Sequence, residues 1–326
     1  MKKAIIVILA ILDLGALACL FLAYGPYDGF RNWFIPAAAG SWHHSYFAHV
    51  IYSDKQINDY LSSSQIYEPE GVVDASQITF NNEDPGVYES IYDEQVLKRD
   101  EGNDLYKVIE IEGPKYNGYI LVVYDPSRLS IYNSPKLKTG GQKMTALAKS
   151  AGAIAAVNAS GFKRNSETRA LTPNGTLIID GKLYTDKGGS ITGFTYDNVL
   201  TLTKESASDA IAHGMKDAVS FEPFLIVNGV PAKITGRGDG LRPRTAVGQR
   251  KDGIVLFAVI DGDSYATYGA TMQDLIDIFT RYGAYNAANL DGGGSSSLYV
   301  DGKLVNNPKG FGYTGERYLI NAWILK

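Results

Sequence analysis

The chain has 326 residues, 45% of them hydrophobic and 20% charged, with a net charge of −4. This length suits one large domain or two modest ones, and the balance of charge excludes the global basic field typical of nucleic-acid-binding proteins. Because Cys19 is the one cysteine, an intrachain disulfide framework and a multi-cysteine metal site are excluded as well.

The N-terminal 25 residues contain an apolar segment. Lys2 and Lys3 precede a run from Ala4 to about Tyr24 that holds one charge, Asp13. Such a run matches the roughly 20 residues that span a bilayer, and its positive flank predicts a cytoplasmic N-terminus. We therefore expect residues 1–25 to be a retained signal-anchor in the cell membrane, with a single pass and the remaining chain extracytoplasmic. A cleaved signal peptide is the alternative.

The composition changes twice after this segment. Residues 26–104 are expected to be a juxtamembrane and connector region, because aromatic residues follow the apolar run and the stretch from 71 onward is acidic and rich in turn residues. Regular strand patterning starts near Leu105. The sequence therefore predicts a catalytic domain over residues 105–326.

Three hairpins and two helices are predicted in that domain. The stretches "TLIIDGKLYT" (176–185), "FLIVNGVPAK" (224–233) and "SLYVDGKLVN" (297–306) each join two apolar runs through Asp-Gly or Asn-Gly, the signal of a type I′ turn. Helical spacing is found in "GGQKMTALAKSAGA" and in "TMQDLIDIFTRYGA", where Thr271 is the expected cap. We predict an α+β fold: a sheet-rich mixed α/β domain with helices packed on β-sheets, preceded by one transmembrane helix.

Polar loops follow three predicted strands. "AIAAVNASGF" ends on Asn158, Ser160 and Gly161, "GIVLFAVIDGDS" ends on Asp261 and Asp263, and "AYNAANLDGGGSSS" passes through Asp291. Side chains just past buried strands are held by a rigid sheet and are still open to a cleft, as in many active sites. These loops therefore form the candidate site.

The stretch "LDGGGSSS" is suited to holding an anion beside a carboxylate. Glycines allow positive φ and let successive backbone N–H groups surround an anionic group. The hydroxyls add donors, and Asp291 supplies the carboxylate. The candidate binding residues of this loop are Gly292, Gly293, Gly294, Ser295 and Ser296. The alternative is the tight start of a hairpin with solvated serines.

Two further motifs contribute candidates. "GDGLRPRTAVGQ" places Arg242 and Arg244 around a proline just before a strand, which suits bidentate recognition of phosphate. "VSFEPFLIVNG" places Glu222 between two phenylalanines, where an apolar setting favours a general acid. A surface arginine in a salt bridge and an exposed turn glutamate are the alternatives.

In this order the motifs resemble the phosphodiester glycosidase family. The matching stretches are "AIAAVNASGF", "PFLIVNG", "RPRTAVG", "VIDGDS…GATMQDLIDIFTRYGAYNAANLDGGGSSSLYV" and "GERYLINAWIL", which cover roughly residues 105–326. The resemblance implies hydrolysis of a sugar-1-phosphodiester in a cell-surface or exopolysaccharide glycan, releasing the sugar. It carries site roles to Asn158, Ser160, Gly161, Arg244, Asp261, Asp291, Gly292, Gly293, Ser295 and Ser296.

These expectations define roles and alternatives. Arg244 and the glycine–serine loop hold phosphate, and Asp291 activates water or attacks the sugar. Asp261 orients a sugar hydroxyl or supports Asp291, and Asn158 and Ser160 bind from the opposite loop. The motifs establish no cofactor, and Asp261, Asp263 and Asp291 are a candidate set of oxygen ligands for Ca²⁺ or Mg²⁺. Because "NASGF" and "DGDS" depart from the usual family loops, an inactive carbohydrate-binding module for a wall polymer is the second hypothesis, and a glycan phosphodiester transferase is the third.

Overall fold

The computed structural model describes residues 2–26, 28–39, 45–62, 65–81, 83–235, 240–262, 268–310 and 313–326. The contacts divide the chain into two compact units. The first comprises residues 1–65 and 234–240, and the second comprises residues 66–233 and 241–326. The predicted site motifs fall in the second unit, apart from any residue outside the described ranges.

The first unit is helical. It contains α1 (Lys2–Tyr24), α2 (Asp28–Ala39), α3 (Ser45–Ile51) and α4 (Asp54–Ser62). Helix α1 is long and apolar enough to cross a membrane, and its side chains are exposed along nearly its whole length. The expected N-terminal apolar helix is thus confirmed. Its last turn differs, because Ala23 is buried in a small core with Ile35, Ala48 and Tyr52.

The second unit consists mostly of strands. Its helices are α5 (Ile91–Leu97), α6 (Met144–Ala151), α7 (Ala207–Ala212) and α8 (Met272–Arg281). The strands of the described chain, in order, are β1 (Gln65–Tyr67), β2 (Tyr106–Gly113), β3 (Tyr116–Val123), β4 (Leu129–Asn133), β5 (Gln142–Lys143), β6 (Ala155–Asn158), β7 (Phe162–Arg164), β8 (Leu171–Pro173), β9 (Leu177–Ile179), β10 (Lys182–Thr185), β11 (Ile191–Thr195), β12 (Leu200–Thr203), β13 (Met215–Ser220), β14 (Phe224–Val227), β15 (Val230–Pro231), β16 (Lys233–Thr235), β17 (Arg244–Arg250), β18 (Val255–Ile260), β19 (Ala284–Leu290), β20 (Leu298–Val300), β21 (Lys303–Leu304), β22 (Lys309–Gly310), β23 (Tyr313–Thr314), β24 (Tyr318–Leu319) and β25 (Asn321–Leu325).

Three sheets organise this unit. The large sheet has the order β15-β14-β19-β17-β18-β3-β2, the C-terminal sheet has the order β21-β20-β6-β25-β4, and the middle sheet has the order β10-β9-β13-β11-β12. One continuous apolar core receives side chains from all three, for example Phe257 of the large sheet, Trp323 of the C-terminal sheet and Leu202 of the middle sheet. Helix α6 packs on the C-terminal sheet and α8 on the large sheet. This is the sheet-rich α+β architecture that the sequence predicts.

The three predicted hairpins are present with the expected turn geometry. Strands β9 and β10 join through Asp180-Gly181, β14 and β15 join through Asn228-Gly229, and β20 and β21 join through Asp301-Gly302. Both residues of every turn have positive φ, as a type I′ turn requires. The two predicted helices are α6 and α8, and Thr271 forms a capping box with Asp274 at the start of α8.

The contacts place residues 66–104, part of the predicted connector, in the second unit, and the start of a catalytic domain at residue 105 stays a prediction. The acidic stretch before that residue is attached to the second unit, since Val73 and Ile78 belong to its main core. Asp93 also forms an ion pair with Arg250 at 2.9 Å. The acidic composition of the stretch gave no indication of these few apolar positions. Their side chains pack in the core that the sheets share.

Candidate active site

Strand register brings the predicted loops to one edge. In the large sheet, Arg244 at the start of β17 pairs with Ile260 at the end of β18, and Thr245 pairs with Leu290 at the end of β19. The antiparallel pairing therefore places Arg244 beside the residues that follow β18 and β19, which are Asp261 and Asp291. In the C-terminal sheet, Asn158 at the end of β6 pairs with Ala322 near the start of β25.

Asn158 links the two sheets at this edge. Its Oδ1 accepts hydrogen bonds from Thr245 Oγ1 at 2.9 Å and from the Ser297 backbone N–H at 3.0 Å. Its Nδ2 donates to the backbone carbonyl of Asp291. Asn158 is 1% exposed, and these contacts satisfy its amide within the protein. The structure therefore gives Asn158 a positioning role, whereas its predicted contact with substrate stays a prediction.

The glycine loop adopts a compact 3₁₀ turn over Gly293–Ser295. Gly293 has a φ of 59°, and its N–H donates to the Pro243 carbonyl at 2.8 Å. A methyl group on Gly292 would lie 2.9 Å from that carbonyl, so this position requires glycine. Within the described chain, the N–H groups of Gly292 and Gly294 donate no hydrogen bond. These two N–H groups are therefore available to an anion, and the anion cradle itself stays a prediction.

Asp291 stands at the start of this turn and is partly buried. Burial raises the pKa of the Asp291 carboxyl from 3.8 to about 6, and a hydrogen bond from Ser295 and the positive charge of Arg317 each lower it in part. Such a carboxyl titrates close to neutral pH. Perturbed carboxyls of this kind concentrate at catalytic sites.

The three serines of the loop have different surroundings. Ser295 is fully buried, and its Oγ accepts a hydrogen bond from Arg317 Nη1 at 3.3 Å. Ser296 and Ser297 are also buried, and the Oγ atom of each lacks a hydrogen-bond partner among the described residues. The alternative interpretation required solvated serines, whereas all three are buried in the structure. Ser295 was predicted to donate a hydrogen bond to substrate, and in the structure its hydroxyl donates to the Asp291 carboxylate.

Asp261 is held by protein donors. Its Oδ1 accepts a hydrogen bond from Asn306 Nδ2 at 2.8 Å, and its Oδ2 accepts one from the Asn307 backbone N–H at 3.0 Å. Asn306 Nδ2 also donates to the Ser296 carbonyl at 3.0 Å. Asp261 therefore supports the glycine loop indirectly, because it holds Asn306, which donates to the Ser296 carbonyl.

The predicted metal set was Asp261, Asp263 and Asp291. Asp263 lies outside the described residues. Within the described part of the chain, no three His, Cys, Asp or Glu side chains lie together as metal ligands. Asp261 accepts hydrogen bonds from two N–H donors and Asp291 accepts one from Ser295, while a metal role for the set, which includes Asp263, stays a prediction.

The two arginines of "RPR" flank Pro243, whose carbonyl accepts a hydrogen bond from the Gly293 N–H of the glycine loop. Arg244 is 5% exposed, and its Nε donates to the Ala270 carbonyl at 3.0 Å. Arg242 is half-buried, and its backbone pairs with Ala270 as well. The Arg244 backbone is thus next to the turn, since a methyl group on Gly292 would lie 3.5 Å from its Cα, but its buried side chain is much less accessible than an arginine that meets phosphate at the surface.

The loop after β6 also borders the space around Asp291. The Ser160 N–H donates to Asn321 Oδ1 at 3.0 Å, and Asn321 Nδ2 donates to Ser160 Oγ at 2.8 Å. A methyl group on Gly161 would lie 3.0 Å from the ring of Phe221 and 3.9 Å from Asp291 Oδ1. Gly161 is therefore in the immediate surroundings of the carboxylate, and Phe221 borders the same space, while the predicted contact of Gly161 with substrate stays a prediction.

Glu222 differs from its expected setting. It is exposed, and its Oε1 accepts a hydrogen bond from Ser190 Oγ at 3.1 Å. The aromatic enclosure that motivated a general-acid role is absent around this described side chain, because Phe224 points into the main core. The backbone is what connects Glu222 to the site, since its carbonyl accepts a hydrogen bond from Asn289 Nδ2 at 2.7 Å.

Several residues of the site were not predicted. Arg317 approaches from the loop before β24, 26 residues after Asp291 in the sequence. Its guanidinium carbon lies 4.8 Å from the centre of the Phe162 ring. The motif "GERYLINAWIL" contained Arg317, but nothing in its spacing indicated which loop it meets. The supporting residues Phe221, Asn306 and Asn321 were missed for the same reason.

Comparisons with known proteins bear on the family and on the fold. The phosphodiester glycosidase family model matches residues 151–326, more than half of the chain. The chain is also 33% identical over 182 residues to the SPbeta prophage-derived uncharacterized protein YomE of Bacillus subtilis (strain 168). That match covers 52% of this chain and 28% of the relative, so the chain spans well under half the length of that protein.

Two solved structures share the fold. One is the zebrafish N-acetylglucosamine-1-phosphodiester alpha-N-acetylglucosaminidase catalytic domain, auto-inhibited by its pro-peptide, with a TM-score of 0.56, 20% identity, and coverage of 69% of this chain and 85% of that one. The other is a hypothetical protein from Synechocystis, with a TM-score of 0.52, 13% identity, and coverage of 68% and 61%. With the sheets, the motif order and the family match in agreement, the chain belongs to the phosphodiester glycosidase family.

Proposed function

We propose that this protein is a membrane-anchored, extracytoplasmic hydrolase that cleaves a sugar-1-phosphodiester in a cell-surface glycan. The observation that carries this proposal is the position of Asp291: a carboxyl with a pKa of about 6 begins a glycine turn that presents free N–H groups. A carboxylate beside an anion cradle is the minimum that the reaction requires.

The chemistry assigns the carboxylate to the sugar. A phosphate on the anomeric carbon leaves as a stable anion, so the reaction needs little general-acid assistance. In its ionised form, Asp291 accepts a proton from water while the water oxygen bonds to the anomeric carbon, and the electrons of the breaking C–O bond go to phosphate. Direct attack by the carboxylate, followed by hydrolysis, gives the same products.

The glycine turn is assigned to the phosphate. Charge grows on the phosphate oxygens as the C–O bond breaks, and fixed N–H donors stabilise it without reorganising. Gly292 and Gly294 have such donors, and the backbone of the buried Arg244 lies next to the turn. The exposed Glu222 has no step in this mechanism.

The same proposal includes a retained α1. The end of this helix is capped by its own unit: Arg31 Nη1 donates to the Gly25 carbonyl at 2.6 Å, and the Tyr52 hydroxyl donates to the Ala23 carbonyl at 3.0 Å. The Tyr24 ring also packs edge-on against Tyr52 at 5.7 Å between centres. Cleavage near residue 20 to 25 requires an extended chain there, so these contacts favour retention.

Intact mass measurement on membranes tests this part. The full chain is expected in the membrane fraction with residues 2–25 still attached. A matched chain, with α1 replaced by a cleavable signal sequence, should be released. Recovery of the natural chain as a shortened soluble protein would reject the anchor.

A substrate panel tests the activity. The full chain in detergent is incubated with sugar-1-phosphodiesters, including the N-acetylglucosamine compound that the zebrafish neighbour is named for, and with polymers of the teichoic-acid type. Wild type should release free sugar, and so should the control D277N, which removes an exposed carboxylate on α8. D291N should lose at least a thousandfold in rate, about 4 kcal/mol of transition-state stabilisation.

The remaining results decide between the alternatives. Binding of a polymer without any hydrolysis by wild type supports the non-catalytic module. Release that depends on an added glycan acceptor supports the transferase. D291N as active as wild type would reject the role assigned to Asp291.

A further inference from the structure

Arg317 reaches the site from a distant loop and is held there by two contacts. Its Nη1 donates to Ser295 Oγ at 3.3 Å, and its guanidinium lies over the Phe162 ring at 4.8 Å. Arg317 itself is exposed, whereas Ser295 is fully buried. The aromatic face and the hydroxyl together fix the plane of the guanidinium, which an exposed arginine otherwise lacks.

Most donors of Arg317 remain available. A guanidinium carries five N–H donors, and within the described chain one hydrogen bond, to Ser295, engages them. No carboxylate of the described residues forms an ion pair with Arg317. Arg244, which the sequence suggested for phosphate, is by contrast buried and bonded through Nε to the Ala270 carbonyl.

The donor character of arginine also orients the Ser295 hydroxyl. Because a guanidinium cannot accept a hydrogen bond, Ser295 Oγ is the acceptor in the Arg317 contact. The hydroxyl hydrogen is then directed elsewhere, and Ser295 donates to the Asp291 carboxylate. A continuous chain, Arg317 to Ser295 to Asp291, thus joins a surface cation to the carboxylate assigned to the reaction.

We propose that Arg317 binds the phosphate of the substrate and, through Ser295, positions Asp291. This inference rests on the proposed function. The free N–H groups of the guanidinium meet non-bridging phosphate oxygens as a bidentate pair. Arg317 therefore selects substrates whose leaving group is anionic.

Other charged groups near Asp291 are engaged elsewhere. Asp261 is bonded to Asn306 and Asn307, and Glu222 is bonded to Ser190. The charges and donors that act on Asp291 are Ser295 and Arg317, both of which lower its pKa. Removing the guanidinium is therefore expected to raise the pKa of the Asp291 carboxyl further.

The first test measures binding and needs no turnover. Inorganic phosphate is titrated into the full chain in detergent at fixed ionic strength, and its affinity is measured by calorimetry. R317Q should bind phosphate about 10- to 100-fold more weakly than wild type, and R317K should be intermediate. The control R164Q removes an exposed arginine from β7, the strand of Phe162, and should bind as wild type does.

The second test measures the carboxyl of Asp291 by carbon NMR. Its midpoint should move to higher pH in R317Q and in S295A, and remain in place in R164Q. Wild-type phosphate affinity in R317Q, or no phosphate binding by wild type, would overturn the inference. A protein that binds phosphate through Arg317 but hydrolyses no sugar-1-phosphodiester would instead reject the proposed function alone.

Discussion

The side-chain amide of Asn158 donates a hydrogen bond to the backbone carbonyl of Asp291. The same side chain accepts from Thr245 and from the backbone of Ser297. One buried amide therefore sets the distance between the end of β6, the start of β17 and both sides of the glycine turn. The position of the Asp291 carboxylate depends on this residue, although Asn158 is 1% exposed and has its polar atoms satisfied by protein.

Replacing Asn158 by alanine should therefore impair both stability and rate. The Thr245 hydroxyl and the Ser297 N–H would lose their acceptor in a buried place, which costs about 2–4 kcal/mol of unfolding free energy. The glycine turn would also lose its attachment to β6. Denaturant unfolding and the kcat of the folded enzyme measure the two effects.

Gln249 offers a matched control. It is also fully buried, lies at the other end of β17, and makes three hydrogen bonds, to Leu200, Asn198 and Gly253. Q249A should lose comparable stability but keep the kcat of the folded fraction. Equal loss of kcat in the two variants would mean that Asn158 contributes to stability alone.

The pH dependence of stability should reveal the burial of Asp291. Its pKa is raised on folding from 3.8 to about 6, so the folded state binds this proton more tightly than the unfolded state. Stability contributed by the bound proton is fully present below pH 3.8 and is lost as the pH rises through about 6. At pH 8, the folded protein holds an ionised, partly buried carboxylate at a cost of up to about 3 kcal/mol, less after solvent screening.

D291N avoids this cost. The variant should unfold at a higher temperature than wild type at pH 8, and the difference should shrink toward pH 4. The exposed D277N is the control and should show no such trend. A D291N protein that is less stable than wild type at pH 8 would contradict the burial described for the carboxyl.

Activity should follow the ionised form of Asp291. A base or nucleophile works as the carboxylate, so kcat/KM is expected to rise through pH about 6 and to fall about tenfold per pH unit below it. A pH–rate profile of wild type measures this. A profile that is highest at pH 4 and declines above 6 would assign Asp291 as a general acid instead.

Gly161 should be intolerant of a side chain for a local reason. Its backbone φ is not in the positive region, so alanine is compatible with the chain itself. The new methyl group would stand 3.0 Å from the Phe221 ring, which has to move at the border of the space around Asp291. G161A should fold normally but raise KM by about tenfold, since a misplaced wall weakens substrate positioning.

A second substitution gives the control. Because leucine is smaller than phenylalanine, F221L in the G161A background should restore part of the lost affinity. If G161A has unchanged kinetics, or if F221L adds further loss instead of rescue, Gly161 and Phe221 do not border the substrate together.

The sequence predicted those parts of the site that depend on local chemistry. The Asp-Gly and Asn-Gly turns, the cap at Thr271 and the glycine turn after Asp291 are all encoded within a few neighbouring residues. The edge at which the loops meet was also predictable, because polar residues follow each of the buried strands.

Contacts across the fold were not predictable from one sequence. Arg317, Asn306 and Asn321 reach the site through sheet register and loop path, which no local spacing records. Glu222 shows the converse, since two neighbouring phenylalanines suggested an apolar setting, whereas the carboxylate is exposed. The buried apolar positions in the acidic stretch before residue 105 were also missed, because the neighbouring residues are polar and charged.

The most direct test of the central claim, that Asp291 acts at the anomeric carbon, is hydrolysis in water enriched in oxygen-18. The sugar-1-phosphodiester that wild type cleaves fastest is digested in this water, and both products are weighed by mass spectrometry. We predict the label in the released sugar and none in the phosphomonoester, because water attacks carbon and the C–O bond breaks. Label in the phosphate would mean that the P–O bond breaks, and it would contradict the roles assigned to Asp291 and the glycine turn.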